Sequence, residues 1–143
     1  MKPELTGPEL AEHLAREFLS RVWGANPDLD AIDELMTEDY RITSAGTVIS
    51  GRSEFKSWVS EFQSRMPGAR NEVLDVFANA KGDRVASRWI CSGTNNGMFG
   101  CGADGRHFSF SGLSIWAVRD DMLSECWVER SGLEAYLELS GGK

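Results

Sequence analysis

Arg84-Val-Ala-Ser-Arg-Trp-Ile-Cys-Ser-Gly-Thr94, the turn Asp104-Gly105-Arg106 and the run His107-Phe-Ser-Phe-Ser-Gly-Leu-Ser-Ile-Trp-Ala-Val118 decide the fold. Both runs alternate apolar with small or polar residues, the period of a strand with one buried face. A short turn, Arg119-Asp120-Asp121-Met122, then leads into Leu123-Ser-Glu-Cys-Trp-Val-Glu-Arg130 and an amphipathic tail. Upstream, Glu72 to Ala78 forms another strand and Lys81-Gly-Asp83 its turn. Long strands joined by tight polar turns predict a curved antiparallel sheet. Helices preceding such a sheet close it into a cone with room for a small molecule inside.

The helices are legible in the first half of the chain. Thr6-Gly-Pro-Glu9 has the spacing of a capping box, with Pro8 in the first turn. Leu10, Leu14, Phe18 and Val22 recur every fourth residue, so this helix should run to about Trp23. Glu12–Arg16 and Glu17–Arg21 are spaced to pair on its wet side. After the break Gly24-Ala-Asn-Pro-Asp28, Asp28 or Asp30 is placed to cap a second helix ending at Leu35. Tyr40 to Ser44 alternates as a first strand. A third helix opens at Ser50-Gly-Arg-Ser53, shows Phe55, Val59, Phe62 and Met66 on one face, and stops at Pro67-Gly68.

At 143 residues, the chain is expected to form one domain over 1–143, burying about two thirds of its unfolded surface. A net charge of −7 and the lack of a basic stripe argue against nucleic acid. No apolar run approaches the ~20 residues of a membrane span, and Met1-Lys-Pro-Glu-Leu-Thr6 has no apolar signal segment. Cys91, Cys101 and Cys126 are odd in number, which fits reduced thiols in a cytoplasmic protein.

This order of elements resembles the SnoaL-like branch of the nuclear transport factor 2-like superfamily over nearly the whole chain. The matching pieces are Met36-Thr-Glu-Asp-Tyr40, Gly51, Gly82-Asp-Arg-Val85, Gly93-Thr94 with Gly97, Asp104-Gly-Arg106 and Trp127. The resemblance implies an α+β cone in which a strongly bent sheet wraps around three N-terminal helices. It also implies one of several activities, since the branch includes polyketide cyclases, cofactor-independent hydroxylases, epoxide hydrolases, ketosteroid isomerases and members without catalysis. Fold is thereby predicted better than function.

The final hairpin decides which residues face the pocket. If Val118 pairs with Leu123 and pairing continues without a bulge, Ile115 stands opposite Cys126, Leu113 opposite Val128 and Ser111 opposite Arg130. Directly paired residues share a face. This register places Ser109, Ser111, Leu113, Ile115, Cys126, Val128 and Arg130 in the pocket. Phe108, Phe110, Trp116 and Trp127 then form an aromatic back, which predicts a homodimer through that face. A slip of one residue would instead turn Trp127 and Glu129 inward.

Arg130 is the leading catalytic candidate, because a guanidinium in an apolar cup can hold a carboxylate or an enolate oxygen. The alternative is an Arg paired with a rim acid. His107 is the second candidate, for acid–base work near neutral pH, against a solvated place beside Arg106. Trp23, Tyr40 and Trp58 would wall the cavity and Trp89 would floor it, and Ser44, Ser109 and Ser111 would hydrogen-bond a substrate between Leu113 and Val128. The acids that the resemblance implies are missing: the ketosteroid isomerase base position holds Ser44, and Trp127-Val-Glu-Arg-Ser131 lacks the cyclase Asp. Arg88 has no acid two residues on, as the epoxide hydrolase pattern requires.

Gly100-Cys-Gly102-Ala-Asp-Gly105 mimics a dinucleotide fingerprint but precedes a strand, so no helix N-terminus meets a pyrophosphate. The cysteines and His107 lack zinc spacing, and no metal or organic cofactor is expected. The expected function is cofactor-independent hydroxylation or cyclisation of an aromatic polyketide-like substrate. A small apolar or aromatic ligand held without turnover is the rival.

Overall fold

The computed structural model describes residues 4–141. In chain order the elements are α1 (Gly7–Arg21), α2 (Ala31–Leu35), β1 (Met36–Ser44), β2 (Thr47–Ser50), α3 (Arg52–Arg65), β3 (Arg70–Ala78), β4 (Arg84–Thr94), β5 (His107–Arg119), β6 (Met122–Arg130) and α4 (Gly132–Gly141). A short 3-10 turn, Met98–Gly100, lies between β4 and β5. The architecture is α+β, with one curved six-stranded sheet in the order β2-β1-β6-β5-β4-β3.

The predicted antiparallel ladder holds from β3 through β6, and β1 pairs with β6 in parallel. The first strand starts four residues earlier than its alternation suggested, because Met36 and Thr37 are both buried and break the period of two. β2 returns from β1 through a tight turn at Ala45 and Gly46, both with positive φ. Helix α1 lays Ala11, Leu14, Ala15, Phe18 and Leu19 on the sheet, and α3 contributes Phe55 and Val59. The capping box is not made: Thr6 is the N-cap residue of α1 but its side chain caps nothing. Asp30, not Asp28, is the N-cap residue of α2, also without a side-chain bond.

Gly82 ties the β3–β4 turn to the start of α1. Its φ of +77° and a Cβ that would stand 2.4 Å from the Gly7 carbonyl carbon leave room for glycine alone. The loop after β4 is better anchored than its glycines suggest. Asn95, 1% exposed, donates to the Gly102 carbonyl and Asp104 carboxylate at 2.7 and 2.8 Å, and accepts from the Gly97 and Met98 amides. Arg106 closes the far side by donating to the Glu138 and Leu139 carbonyls at the end of α4.

The last hairpin corrects the expected register. Val118 does pair with Leu123, across a two-residue turn in which Asp120 and Asp121 have φ of 56° and 60°. Ser124 is then extruded as a β-bulge, so Ala117 meets Glu125, Trp116 meets Cys126, Ser114 meets Val128 and Gly112 meets Arg130. Ser124 donates to the Ala117 carbonyl at 3.2 Å. The extra residue reverses the parity of β5 relative to β6. Phe108, Phe110 and Trp116 are therefore 3%, 4% and 1% exposed in the interior and form no aromatic back. Ser109, Ser111, Leu113 and Ile115 face outward, as does Trp127.

Candidate functional site

The helices and the concave face of the sheet line a narrow cavity that is open to solvent at its mouth. Every strand except β2 contributes to its walls. Tyr40 and Ile42 come from β1, Asn71 from β3, Trp89 and Cys91 from β4, Phe110, Ser114 and Trp116 from β5, and Cys126, Val128 and Arg130 from β6. Phe18 and Leu19 of α1, Trp23 just beyond it, and Phe55, Trp58 and Phe62 of α3 complete it. Leu19 and Trp23 are four residues apart, and Phe55, Trp58 and Phe62 follow at steps of three and four, which aims an apolar, largely aromatic stripe at the sheet.

Gly112 makes the floor possible. A Cβ there would stand 2.3 Å from the Trp89 ring, so the indole lies over bare backbone. Its Nε1 donates to Ser114 Oγ at 3.0 Å, which fixes the plane of the ring.

Arg130 stands at the rim. Its side chain, with Trp58 and Phe62, lines both the cavity and a groove outside it that includes Glu61, Arg65 and Phe99. The guanidinium carbon lies 5.3 Å from the Trp58 ring centroid and 5.8 Å from that of Phe62, cation–π distances. Nη1 donates to Ser44 Oγ. Among the described residues no carboxylate lies within 4.0 Å of the Arg130 nitrogens. Burial lowers its pKa from the ordinary value, against weaker opposing effects of Cys126, Cys91 and Glu129. A guanidinium nevertheless remains cationic at neutral pH. The site thus holds a positive charge whose companions are a neutral hydroxyl and two ring faces.

The inner end is polar but uncharged. Tyr40 Oη, Trp116 Nε1 and the Cys126 thiol are buried side by side, close enough to influence one another, though none of their contacts reaches hydrogen-bond geometry. Burial keeps the Tyr40 pKa well above the usual phenol value and pushes the Cys126 and Cys91 thiols up to about 12. Asn71 Oδ1 is likewise unpartnered. No Asp, Glu or His is among the residues lining the cavity.

The structure brings together Tyr40, Trp58, Trp89, Val128 and Arg130, with Ser44 bonded to Arg130. It separates the rest. Ser109, Ser111 and Leu113 lie on the outer face because of the bulge, with Leu113 57% exposed and the Ser111 amide donating to Ser131 Oγ. His107 is exposed at the start of β5 on that same outer face, opposite Thr94, and does not reach Arg130's cavity. Sequence reasoning missed Phe110, Ser114 and Trp116 as lining residues. Their alternation with Gly112 was visible, but the parity depended on an extruded residue. Phe18, Phe55 and Phe62 carried the right signal in their helical spacing.

Comparison with protein families matches residues 15–126 to the SnoaL-like domain. The chain belongs to that family, and the cone is its fold. A candidate SnoaL-like polyketide cyclase from Jannaschia sp. CCS1 superimposes with a TM-score of 0.85 at 17% identity, covering 98% of both chains. TsrD from Streptomyces laurentii gives 0.80 at 21%, covering 98% of this chain and all of its own. AclR, a candidate hydroxylase from Streptomyces galilaeus, gives 0.77 at 21%, covering 93% of this chain and 85% of its own. No curated protein matches. At these identities the similarity establishes the fold and not an activity.

Proposed function

We propose that this protein binds a planar aromatic anion (a carboxylate, phenolate or enolate) and acts on it without an organic cofactor or metal, by hydroxylation or cyclisation of a polyketide-like substrate. The observation that carries this reading is Arg130, a largely buried guanidinium in an aromatic cavity with no carboxylate beside it. A buried cation is costly unless something pairs with it, so the site is complementary to an incoming anion. Trp58, Phe62, Phe110 and Trp89 supply faces and edges for a flat ring system. With no carboxylate or imidazole in the lining, a side-chain base is lacking, and the bound anion is itself the reactive species. In oxygenation the anion would add dioxygen to form a substrate hydroperoxide, which loses water to leave a new carbonyl. The substrate itself thus supplies the two electrons that reduce the second oxygen atom, and Arg130 would hold the negative charge meanwhile.

Retention of the ligand without turnover is the second reading, favoured by the same lack of a base in the lining. Incubation under air with hydroxynaphthoates, followed by mass spectrometry, separates the two. Gain of one oxygen with loss of two hydrogens marks oxygenation, a new chromatographic peak at the same mass or less one water marks cyclisation, and recovery of the unaltered compound marks retention. Arg130→Met should weaken binding of such anions about ten- to a hundredfold, from the ~1.5–3 kcal/mol of a charge-assisted hydrogen bond, with the fold intact. Unchanged affinity overturns the proposal.

Assembly is part of the same reading. The convex face exposes Leu113, Ile115 and Trp127 at 57%, 48% and 38%, with Phe77 at 61%. Arg41 with Glu125 and Arg88 with Asp75 place both signs of charge on the same face. An apolar centre among mixed charges suits a second copy related by a two-fold axis. The proposed homodimer therefore uses Trp127 but none of Phe108, Phe110 and Trp116. Three unpaired cysteines fit a reducing, cytoplasmic setting for it.

A further inference from the structure

Two hydrogen-bond donors stand unused at the closed end of the cavity. Tyr40 and Trp116 are 0% and 1% exposed, both line the cavity, and Oη and Nε1 lie close to each other and to the Cys126 thiol without any of these contacts reaching hydrogen-bond geometry. Buried polar atoms are nearly always satisfied, and an orphan costs free energy that a ligand can recover. Ser87 Oγ and Arg106 Nε are also unpartnered, but neither residue lines the cavity.

The topology brings the two donors together. Ile42 and Trp116 both pair with Cys126, from opposite sides of β6, and Tyr40 lies two residues from Ile42 on the same inward face. Arg130 is four residues beyond Cys126 on that strand, so the two ends of the cavity are about 13 Å apart between Cα atoms at ~3.3 Å per residue. Ser114 and Val128, paired with each other, lie between. Trp89 stands level with Arg130, and Phe110, 6.1 Å from Trp89 and edge to face, lies one step beyond.

We infer that Tyr40 and Trp116 form a second polar subsite, which receives a neutral carbonyl oxygen of a ligand whose anionic group sits on Arg130. The inference rests on the anion reading above and narrows its substrate class to bipolar aromatics, ketones or quinones that carry an acid or enolate at the other end. A neutral oxygen is the fitting guest because both groups are neutral donors and Arg130, the cation of the cavity, is taken by the anionic end. Burial holds the Tyr40 phenol protonated, so it donates and does not repel an oxygen. A carbonyl oxygen has two lone pairs and can accept from both.

Calorimetry with 2-naphthoate and 6-acetyl-2-naphthoate tests this, because the second probe adds only a distal ketone. The wild type should favour the acetyl compound about tenfold, the worth of one or two neutral hydrogen bonds. Tyr40→Phe should cut that preference, lowering the affinity for 6-acetyl-2-naphthoate by a larger factor than that for 2-naphthoate, and Trp116→Phe should act likewise. The infrared stretch of a carbon-13 ketone label should shift down on binding to wild type and less on binding to Tyr40→Phe. Removing an orphan hydroxyl should leave the Tm of Tyr40→Phe unchanged or raised. A fall of several degrees, equal affinities in wild type, or a preference that survives both substitutions overturns the subsite. If neither naphthoate binds, or if Arg130→Met leaves both affinities unchanged, the anion reading itself fails and the subsite falls with it.

Discussion

Arg130 acquires its character from what surrounds it and not from what it is. Ten other arginines stand in the chain, and several, such as Arg21, Arg41 and Arg119, sit in carboxylate pairs at 2.6 to 3.0 Å on the surface. Such exposed pairs contribute little to stability. The thiols near Arg130 show the opposite burial effect. Cys91 and Cys126 have folded pKa values of about 12 against an ordinary 9.0, because the interior disfavours thiolate. Their contribution to stability is complete below pH 9 and is lost as pH rises from about 9 toward about 12, when the unfolded chain can ionise and the folded one cannot. The loss should approach ~1.4 kcal/mol per pH unit for each thiol. Urea midpoints at about pH 8 and pH 10 check this, and Cys126→Ala should flatten the slope; an unchanged slope would show that the thiol does not contribute.

Among the elements, β4 and β5 cooperate through Gly112. Gly112→Ala would put a methyl group 2.3 Å from the present position of the Trp89 ring and drive the indole into the cavity. Binding of aromatic anions should fall at least about tenfold, in line with the ~1–3 kcal/mol cost of overpacking, with a change in tryptophan fluorescence. An unaltered spectrum and affinity would mean that the ring can move elsewhere. The elements themselves were largely legible: helical spacing placed α1 and α3, and strand alternation placed β3 to β6. Tyr40, Trp58, Trp89, Val128 and Arg130 were also placed at the cavity. Illegible were the Thr6 cap, β2 and the bulge at Ser124. Serine is acceptable in a strand or a bulge, and only the sum of packing on both faces chooses between them. That one ambiguity moved Ser109, Ser111 and Leu113 out of the cavity and Phe110 and Trp116 into it.

For the whole molecule, the convex face is the testable surface. Ile115→Glu should yield monomers in sedimentation at micromolar concentration, whereas a wild type that already sediments as a monomer refutes the proposed dimer. Each covered side chain would contribute ~1.5–3 kcal/mol before the entropy of association is subtracted. Trp116→Glu, by contrast, would place a carboxylate in the interior and unfold the chain. No helix among the described residues is long and apolar enough to cross a membrane. The extruded Ser124 has one more consequence, which concerns descent. Glu129 and Arg130 are adjacent on β6 and point to opposite faces, so strand parity selects which of them the cavity receives. Were Ser124 absorbed into regular pairing, a carboxylate would replace the guanidinium inside without any substitution at either position. Ligand preference in a lineage of such cones can therefore invert when a bulge is gained or lost at constant strand length, and a column of aligned arginines signifies a shared cationic pocket only where the bulge is inherited with it.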